Sequence, residues 1–149
     1  MAGEPRPLVF GRATGHVLVL DESLSFWGGL DPRTGLIIDR RHPQVGSTVT
    51  GTVLVMPAGR GSSSSSTILA EAIRARTAPA AIVLARPDPI IALGALVGAE
   101  LYGTEVPVVV ATDTQLEDGD RVQVVADPGG ASISPSPDRR GAGRSGGRT

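Results

Sequence analysis

Residues 49–111 contain the pattern that predicts the fold class, VTGTVLVMPAGRGSSSSSTILAEAIRARTAPAAIVLARPDPIIALGALVGAELYGTEVPVVVA. Three short segments in it, 49–56, 80–85 and 107–111, are rich in β-branched residues and bounded by Gly or Pro. Each of these segments predicts a strand, and their lack of polar alternation is typical of strands buried on both faces.

Helical patterns separate these strands. Apolar residues recur at helical spacing between residues 63 and 76, which predicts a first helix there. Asp88 followed by Pro89 is a typical helix start, and the second helix is expected to end near Gly103. Because strands and helices alternate, we expect an α/β domain with largely parallel strand pairing.

The regions on either side of residues 49–111 add strands and few helices. Strands are predicted at 8–10, 16–20, 36–39 and 121–126, with an irregular segment at 21–43. Together with the central stretch they form one mixed domain, residues 8–128.

Both ends of the chain differ from this domain. Residues 1–7 are charged and rich in Pro, and are expected to be flexible. Residues 129–149 consist mainly of Gly, Ser, Pro and Arg, with four Arg against one Asp. Such a segment buries too little apolar surface to offset its ordering entropy, so we expect the tail to be disordered.

Composition narrows the function classes. The formal net charge of −1 gives no reason to expect binding to nucleic acid or membranes. No apolar run is long enough to cross a bilayer, and no signal-peptide pattern follows the N-terminus, so a cytoplasmic location is expected. Aromatic residues make up 3% of the chain, which must therefore build its core from aliphatic side chains and Ala.

The sequence contains no Cys, which excludes disulfides, a thiol nucleophile and an iron–sulfur cluster held by cysteines of this chain. Its two histidines, His16 and His42, are far apart and do not have the spacing of a metal-ligand pair. We therefore expect this chain to bind no cofactor or metal by itself.

The strongest candidate site is the Gly-Arg-Gly-Ser segment between the first predicted buried strand and the first helix. Gly59-Arg60-Gly61 is followed by five serines at 62–66. A helix N-terminus presents backbone N–H groups to anions, small residues let an anion approach, and Arg60 could bind a carboxylate or phosphate. The pattern predicts an anion site with an activated hydroxyl. A flexible serine linker or a simple helix cap is the alternative interpretation. The segment has neither the Lys of a Walker A loop nor the spacing of a dinucleotide fingerprint.

A second candidate region is the polar, irregular segment 25–43. Asp31 and His42 are secondary candidates for substrate binding, although a turn acid before Pro and a structural histidine are open alternatives. Trp27 is expected in the core, because the chain has few large side chains.

Several segments together resemble one family, the small subunits of aconitase X. The resemblance covers about residues 8–127. The segments that carry it are SLSFWGG (23–29), DP (31–32), TG (34–35), HP (42–43), VLVMP (53–57), GRGSSSSS (59–66), TAPAAI (77–82), ELYG (100–103) and PVV (107–109).

This resemblance implies a swivelling β/β/α domain similar to the fourth domain of aconitase. It implies a heterodimeric hydro-lyase whose large subunit holds the iron–sulfur cluster or iron, acting on a small anionic hydroxy acid. Relatives in the family include cis-3-hydroxy-L-proline dehydratase of bacteria and phosphomevalonate dehydratase of archaea. The Arg-rich, Lys-free composition favours a bacterial source and hence the first substrate. A non-catalytic anion-binding or regulatory module is the alternative of another class.

The resemblance also implies roles for residues of the serine run. Aconitase itself carries Gly-Ser-Ser-Arg-Glu, and its catalytic serine falls on Ser62 of this chain. Gly61, Ser63 and Ser64 are then expected to bind substrate. Ser64 stands where the motif has Arg, and Arg60 is our candidate for the missing cation.

Overall fold

The computed structural model describes residues 4–59 and 63–136. The strands are β1 (Arg6–Val9), β2 (Gly11–Val19), β3 (Leu30–Asp31), β4 (Leu36–Ile37), β5 (Val53–Met56), β6 (Ala81–Leu84), β7 (Val108–Val110), β8 (Arg121–Asp127) and β9 (Gly130–Pro135). The helices are α1 (Phe26–Gly29), a single turn, α2 (Ser65–Ala75) and α3 (Pro89–Tyr102).

Seven strands form one sheet in the order β1-β7-β6-β5-β2-β8-β9. The central strands β2, β5, β6 and β7 pair in parallel, while β1 at one end and β8 and β9 at the other pair antiparallel to their neighbours. The predicted alternation of strands and helices and the parallel centre of the sheet are therefore confirmed.

Strands β5, β6 and β7 lie between two hydrophobic clusters, which explains their continuous apolar sequence. Leu54, Ile82 and Val108 face the cluster that contains Leu69 and Ile73 of α2 and Ile91 of α3. On the other face, Val53, Val83 and Val109 pack with Val122 and Val124 of β8. The helices thus cover one face of the sheet and the β8–β9 hairpin covers the other.

The sheet curls so that its two ends approach each other. Strand β2 causes this curl, because residues 17–19 pair with β5 and residues 11–16 pair with β8. Strand β1, at one end of the strand order, contacts β8 and β9 at the other. Pro5 lines one cavity together with Ile133 of β9. The result is the β/β/α layering that the resemblance implied.

Small residues on α3 set the position of α2. A Cβ added to Gly94 would lie 2.8 Å from the Ser66 carbonyl oxygen, and one added to Gly98 would lie 2.4 Å from Ile73 Cδ1. The backbone at Ser66 cannot move aside, so the close packing of α2 on α3 requires glycine at position 94. At position 98 a Cβ would force the Ile73 side chain to shift.

The boundaries predicted for the two ends of the domain are wrong. Arg6 and Pro7, expected to be flexible, lie in β1 opposite Val110 and Val109. The disorder predicted from residue 129 is contradicted by β9, which pairs with β8 along its whole length. Its Ala131 and Ile133 pack on the second hydrophobic cluster, an alternation that the Gly, Ser and Pro content of the tail conceals. The rest of the predicted tail, 137–149, lies outside the described residues.

Three internal boundaries also differ from the prediction. Strand β5 begins at Val53 because Gly51, with φ of +71°, forms a turn before it. Strand β2 extends back to Gly11 since β8 pairs with its first half. Helix α2 begins two residues later than predicted, at Ser65, and ends where Arg76 adopts a left-handed conformation.

Strand β9 is expected to contribute measurably to stability. A chain that ends at Asp127 should melt about 5–10 °C below the full chain, because β8 loses a partner and the second cluster is uncovered. A chain that ends at Ser136 is the control, since it keeps β9, and should melt with the full chain. Thermal unfolding followed by circular dichroism measures all three, and equal melting temperatures for the two truncated chains would contradict a structural role for β9.

Candidate active site at the start of helix α2

The candidate site lies in the loop that joins the carboxyl end of β5 to the N-terminus of α2. In α/β sheets this edge is where ligands bind, because helix N-termini present N–H groups there. Three predicted site residues in the loop, Arg60, Gly61 and Ser62, lie outside the described residues, so their roles stay predictions. The structure describes the two sides of the loop that hold them.

On the β5 side, the loop is tied to α3 through Gly59. The Gly59 N–H donates to Asp88 Oδ2 at 2.9 Å, while Asp88 Oδ1 accepts from the N–H groups of Ile90 and Ile91 at 3.0 and 3.2 Å. A Cβ on Gly59 would lie 2.5 Å from Asp88 Oδ2. Asp88 therefore caps α3 and also holds the start of the serine loop. Only the cap is predictable from sequence, because the bond to Gly59 joins segments 29 residues apart.

On the α2 side, the serines divide into two groups. Ser65 and Ser66 lie in the first turn of the helix, and their hydroxyls have structural partners. Ser66 Oγ donates to the Ser63 carbonyl oxygen at 3.0 Å, and the buried Ser65 Oγ accepts from the Trp27 N–H at 3.2 Å. Ser63 and Ser64 precede the helix, with Ser64 at the N-cap position. The substrate-binding role of Ser63 and Ser64 stays a prediction.

Trp27 lies at the surface beside this helix end, so its predicted place in the core is wrong. Its side chain is 57% exposed, whereas that of Phe26 is completely buried. The turn of α1 causes the difference, since Trp27 leaves helical geometry with ψ of 114° and Gly28 follows with φ of +82°. Phe26 therefore points into the core and Trp27 away from it.

Asp31 is placed as a turn residue at the end of β3. Its Oδ1 accepts from the N–H of Arg33 at 2.9 Å and contacts the Arg33 Nε at 3.4 Å. The hydrogen bond from the Arg33 backbone, followed by that from its guanidinium, holds the pKa of the Asp31 carboxyl below its usual range. This geometry favours the turn-acid alternative over a role in substrate binding.

His42 is buried, with 2% of its surface exposed. Its Nδ1 accepts from the Gln44 N–H at 3.0 Å, which leaves the proton on Nε2 to be donated to the Glu22 carbonyl oxygen, also at 3.0 Å. Both ring nitrogens are thus used to fix the segment 22–44. The structure favours the structural alternative for His42.

The described residues contain no group of three His, Asp or Glu side chains that could hold a metal ion, and the sequence has no Cys. The donor set in this part of the chain therefore does not fit an iron or iron–sulfur site. Within the same residues, no helix is long and apolar enough to cross a membrane.

Comparison with known proteins identifies the domain. The family model described as the aconitase X swivel domain matches residues 3–133. A solved structure of Thermococcus kodakaraensis aconitase X in its holo-form is 33% identical, with a TM-score of 0.78 over 89% of this chain and 98% of that chain.

Two curated relatives match this chain over very different shares of their own length. The cis-3-hydroxy-L-proline dehydratase of Pseudomonas aeruginosa is 50% identical over 104 residues, which are 70% of this chain and 18% of that protein. The phosphomevalonate dehydratase small subunit of Methanothermobacter thermautotrophicus is 41% identical over 80% of this chain and 89% of that subunit. The chain therefore spans about a fifth of the first relative and most of the second.

These matches cover nearly all of the described sheet and both long helices, and they agree with the fold and its β/β/α layering. The chain belongs to the aconitase X swivel-domain family.

Proposed function

We propose that this chain is the small subunit of a two-subunit hydro-lyase, in which Ser62 removes the substrate proton. The observation that carries the proposal is the loop between β5 and α2 in an aconitase X swivel domain. Asp88 holds the β5 side of this loop, and the packing of α2 on α3 holds the other. Such support would present the serines before α2 to a substrate in a defined position.

The reaction explains why a serine needs this position. In a dehydration the base takes a proton from carbon, the carbon–oxygen bond breaks, and hydroxide leaves and is protonated to water. A serine hydroxyl is a very weak base at neutral pH, so its alkoxide must be stabilised. The N–H groups at the start of α2 and the guanidinium of Arg60 are the proposed stabilising groups.

The departing hydroxide also requires a Lewis acid, for which the proposal assigns iron or an iron–sulfur cluster of a large aconitase X subunit. The present chain has no cysteines for such a group, and its described residues provide no alternative set of ligands. We therefore assign the base to this chain and the metal to its partner in a heterodimer. The pair is proposed to act in the cytoplasm.

The proposed substrate is cis-3-hydroxy-L-proline. The identity of 50% to the Pseudomonas aeruginosa dehydratase supports this choice over phosphomevalonate, whose dehydratase small subunit is 41% identical. Assays of the reconstituted pair on both substrates decide between them. A chain that binds a small anion tightly without its partner would instead support the non-catalytic anion-binding module.

The first prediction about activity concerns Ser62. In the reconstituted complex, Ser62→Ala should reduce kcat about 10³-fold or more, because the essential base is lost, while KM changes far less. Ser66→Ala is the matched control in the same run, since its hydroxyl bonds within the helix start, and should cost about 1 kcal/mol of stability or less. Steady-state kinetics with a check of folding and assembly measures both.

The serine-to-alanine series distinguishes an error in the motif alignment from an error in the assignment of a serine base. If Ser63→Ala or Ser64→Ala abolishes turnover while Ser62→Ala does not, the alignment with the aconitase motif is displaced. If every serine variant keeps a normal kcat, the assignment of a serine base is wrong.

The second prediction concerns Asp88 as a positioning residue. Serine is as good an N-cap as aspartate but is too short to cap α3 and also accept from Gly59. Asp88→Ser should therefore keep the melting temperature within a few degrees and lower kcat about 10-fold or more, because the serine loop loses its support on the β5 side.

Asp88→Asn is the companion variant for this test. Its single amide oxygen can satisfy either the cap or Gly59, so its kcat should lie between those of the wild type and Asp88→Ser. Melting temperatures and steady-state kinetics of both variants are compared in the complex. A loss of stability with unchanged kcat would show that Asp88 acts only as a cap.

A further inference from the structure

The feature that the proposed reaction leaves unexplained is the exposure of Trp27. The sequence contains one Trp among very few aromatic residues, and the structure leaves 57% of this side chain in contact with solvent. A large apolar side chain that the fold keeps outside its core points to an interaction surface.

The exposure results from a rigidly held backbone. The Trp27 N–H donates to Ser65 Oγ at 3.2 Å, and its carbonyl oxygen accepts from Ser25 Oγ at 3.0 Å. Around it, Leu24, Phe26 and Leu30 are fully buried in the main hydrophobic cluster. The backbone that carries the indole is therefore held in place, which lowers the entropy lost when a partner binds.

Two further exposed apolar residues lie on segments that backbone hydrogen bonds connect to the turn of α1. The Ile38 N–H donates to the Gly29 carbonyl oxygen at 2.8 Å, which places Ile38 beside the turn of α1. Val45 follows on the adjoining segment, where Gly46 N–H donates to the Ile37 carbonyl oxygen at 2.8 Å. Both side chains are nearly half exposed. We call Trp27, Ile38 and Val45 the Trp27 surface.

The Trp27 surface adjoins the serine loop. Ser65, which binds the Trp27 backbone, is the first residue of α2, and Leu24 forms a parallel bridge with Gly59 at the other end of the loop. A partner that closes over the serine loop to bring a metal to the substrate must therefore approach the Trp27 surface.

Such a partner is also indicated by the relatives. The match to the Pseudomonas aeruginosa dehydratase covers 18% of that protein, so about four-fifths of it lies outside the swivel domain. The Methanothermobacter thermautotrophicus relative is named a small subunit, which implies a large one.

We infer that the Trp27 surface is the contact through which this chain binds the large aconitase X subunit, with the Trp27 indole as its central anchor. The inference rests on the proposed function, because it takes the large subunit as the partner. Trp is one of the residue types enriched at the energetic centre of interfaces, where the surrounding contacts exclude water.

The affinity of the separately purified subunits provides the first test. Trp27→Ala should raise Kd about 30-fold or more and leave the melting temperature of the free chain nearly unchanged, since the side chain is exposed. Phe10→Ala is the matched control. Phe10 is 52% exposed, which is close to the exposure of Trp27. It precedes the first residue of β2, and because β2 runs parallel to β5, this end of β2 is far from the carboxyl end of β5. The Kd of the Phe10→Ala variant should equal that of the wild type.

A direct readout uses the single Trp of the chain. The full-length chain is labelled with 5-fluorotryptophan and observed by ¹⁹F NMR before and after addition of the unlabelled large subunit. One resonance is expected, and its solvent isotope shift between H₂O and D₂O should disappear in the complex as the indole leaves water.

The possible results are distinct. Wild-type affinity for Trp27→Ala, or a resonance that keeps its isotope shift in the complex, overturns the inference. A resonance that moves only when substrate joins the complex assigns the indole to the substrate and also overturns it. If the wild-type chain does not bind the large subunit at all, the two-subunit function itself fails.

Discussion

The carboxylate of Asp88 is the group on which the arrangement of the site depends. It accepts hydrogen bonds from three backbone N–H groups, two at the start of α3 and one at Gly59. A short side chain could cap the helix, but only one that reaches further also holds the loop after β5. Since Gly94 of α3 then fixes how closely α2 packs, one helix determines both the beginning and the end of the serine loop.

Much of the fold could be predicted from sequence because the signals in it are local. The buried strands β5, β6 and β7 carry unbroken β-branched runs, and Asp88-Pro89 and Gly103 mark the ends of α3. Strand β9 was missed because its stability comes from pairing with β8 and from Ile133 packing across the sheet. The composition of a segment reflects only its own residues and carries no information about a partner strand.

In the candidate site, too, features with a local signal could be predicted from sequence and features that depend on the folded structure could not. The place of the serine loop between a strand and a helix follows from sequence, and so does the expectation that small residues surround it. The outward position of Trp27 does not, because it depends on a left-handed glycine in a turn of four residues. His42 and Asp31 were reasonable candidates by residue type, yet the backbone groups beside them use their hydrogen-bonding atoms. For such residues, the hydrogen-bond partners beside them distinguish a structural role from a role in substrate binding.

The curl of the sheet has a topological consequence for how this domain combines with others. Strand β1 lies against β9, and Pro5 shares a cavity with Ile133, so the first and last described strands meet on one side of the molecule. A polypeptide can therefore enter and leave the domain through neighbouring points. Splicing the domain into a longer chain, or separating it as its own subunit, requires no change in its internal connections. This portability fits a family whose members match this domain over either a fifth or nearly all of their length.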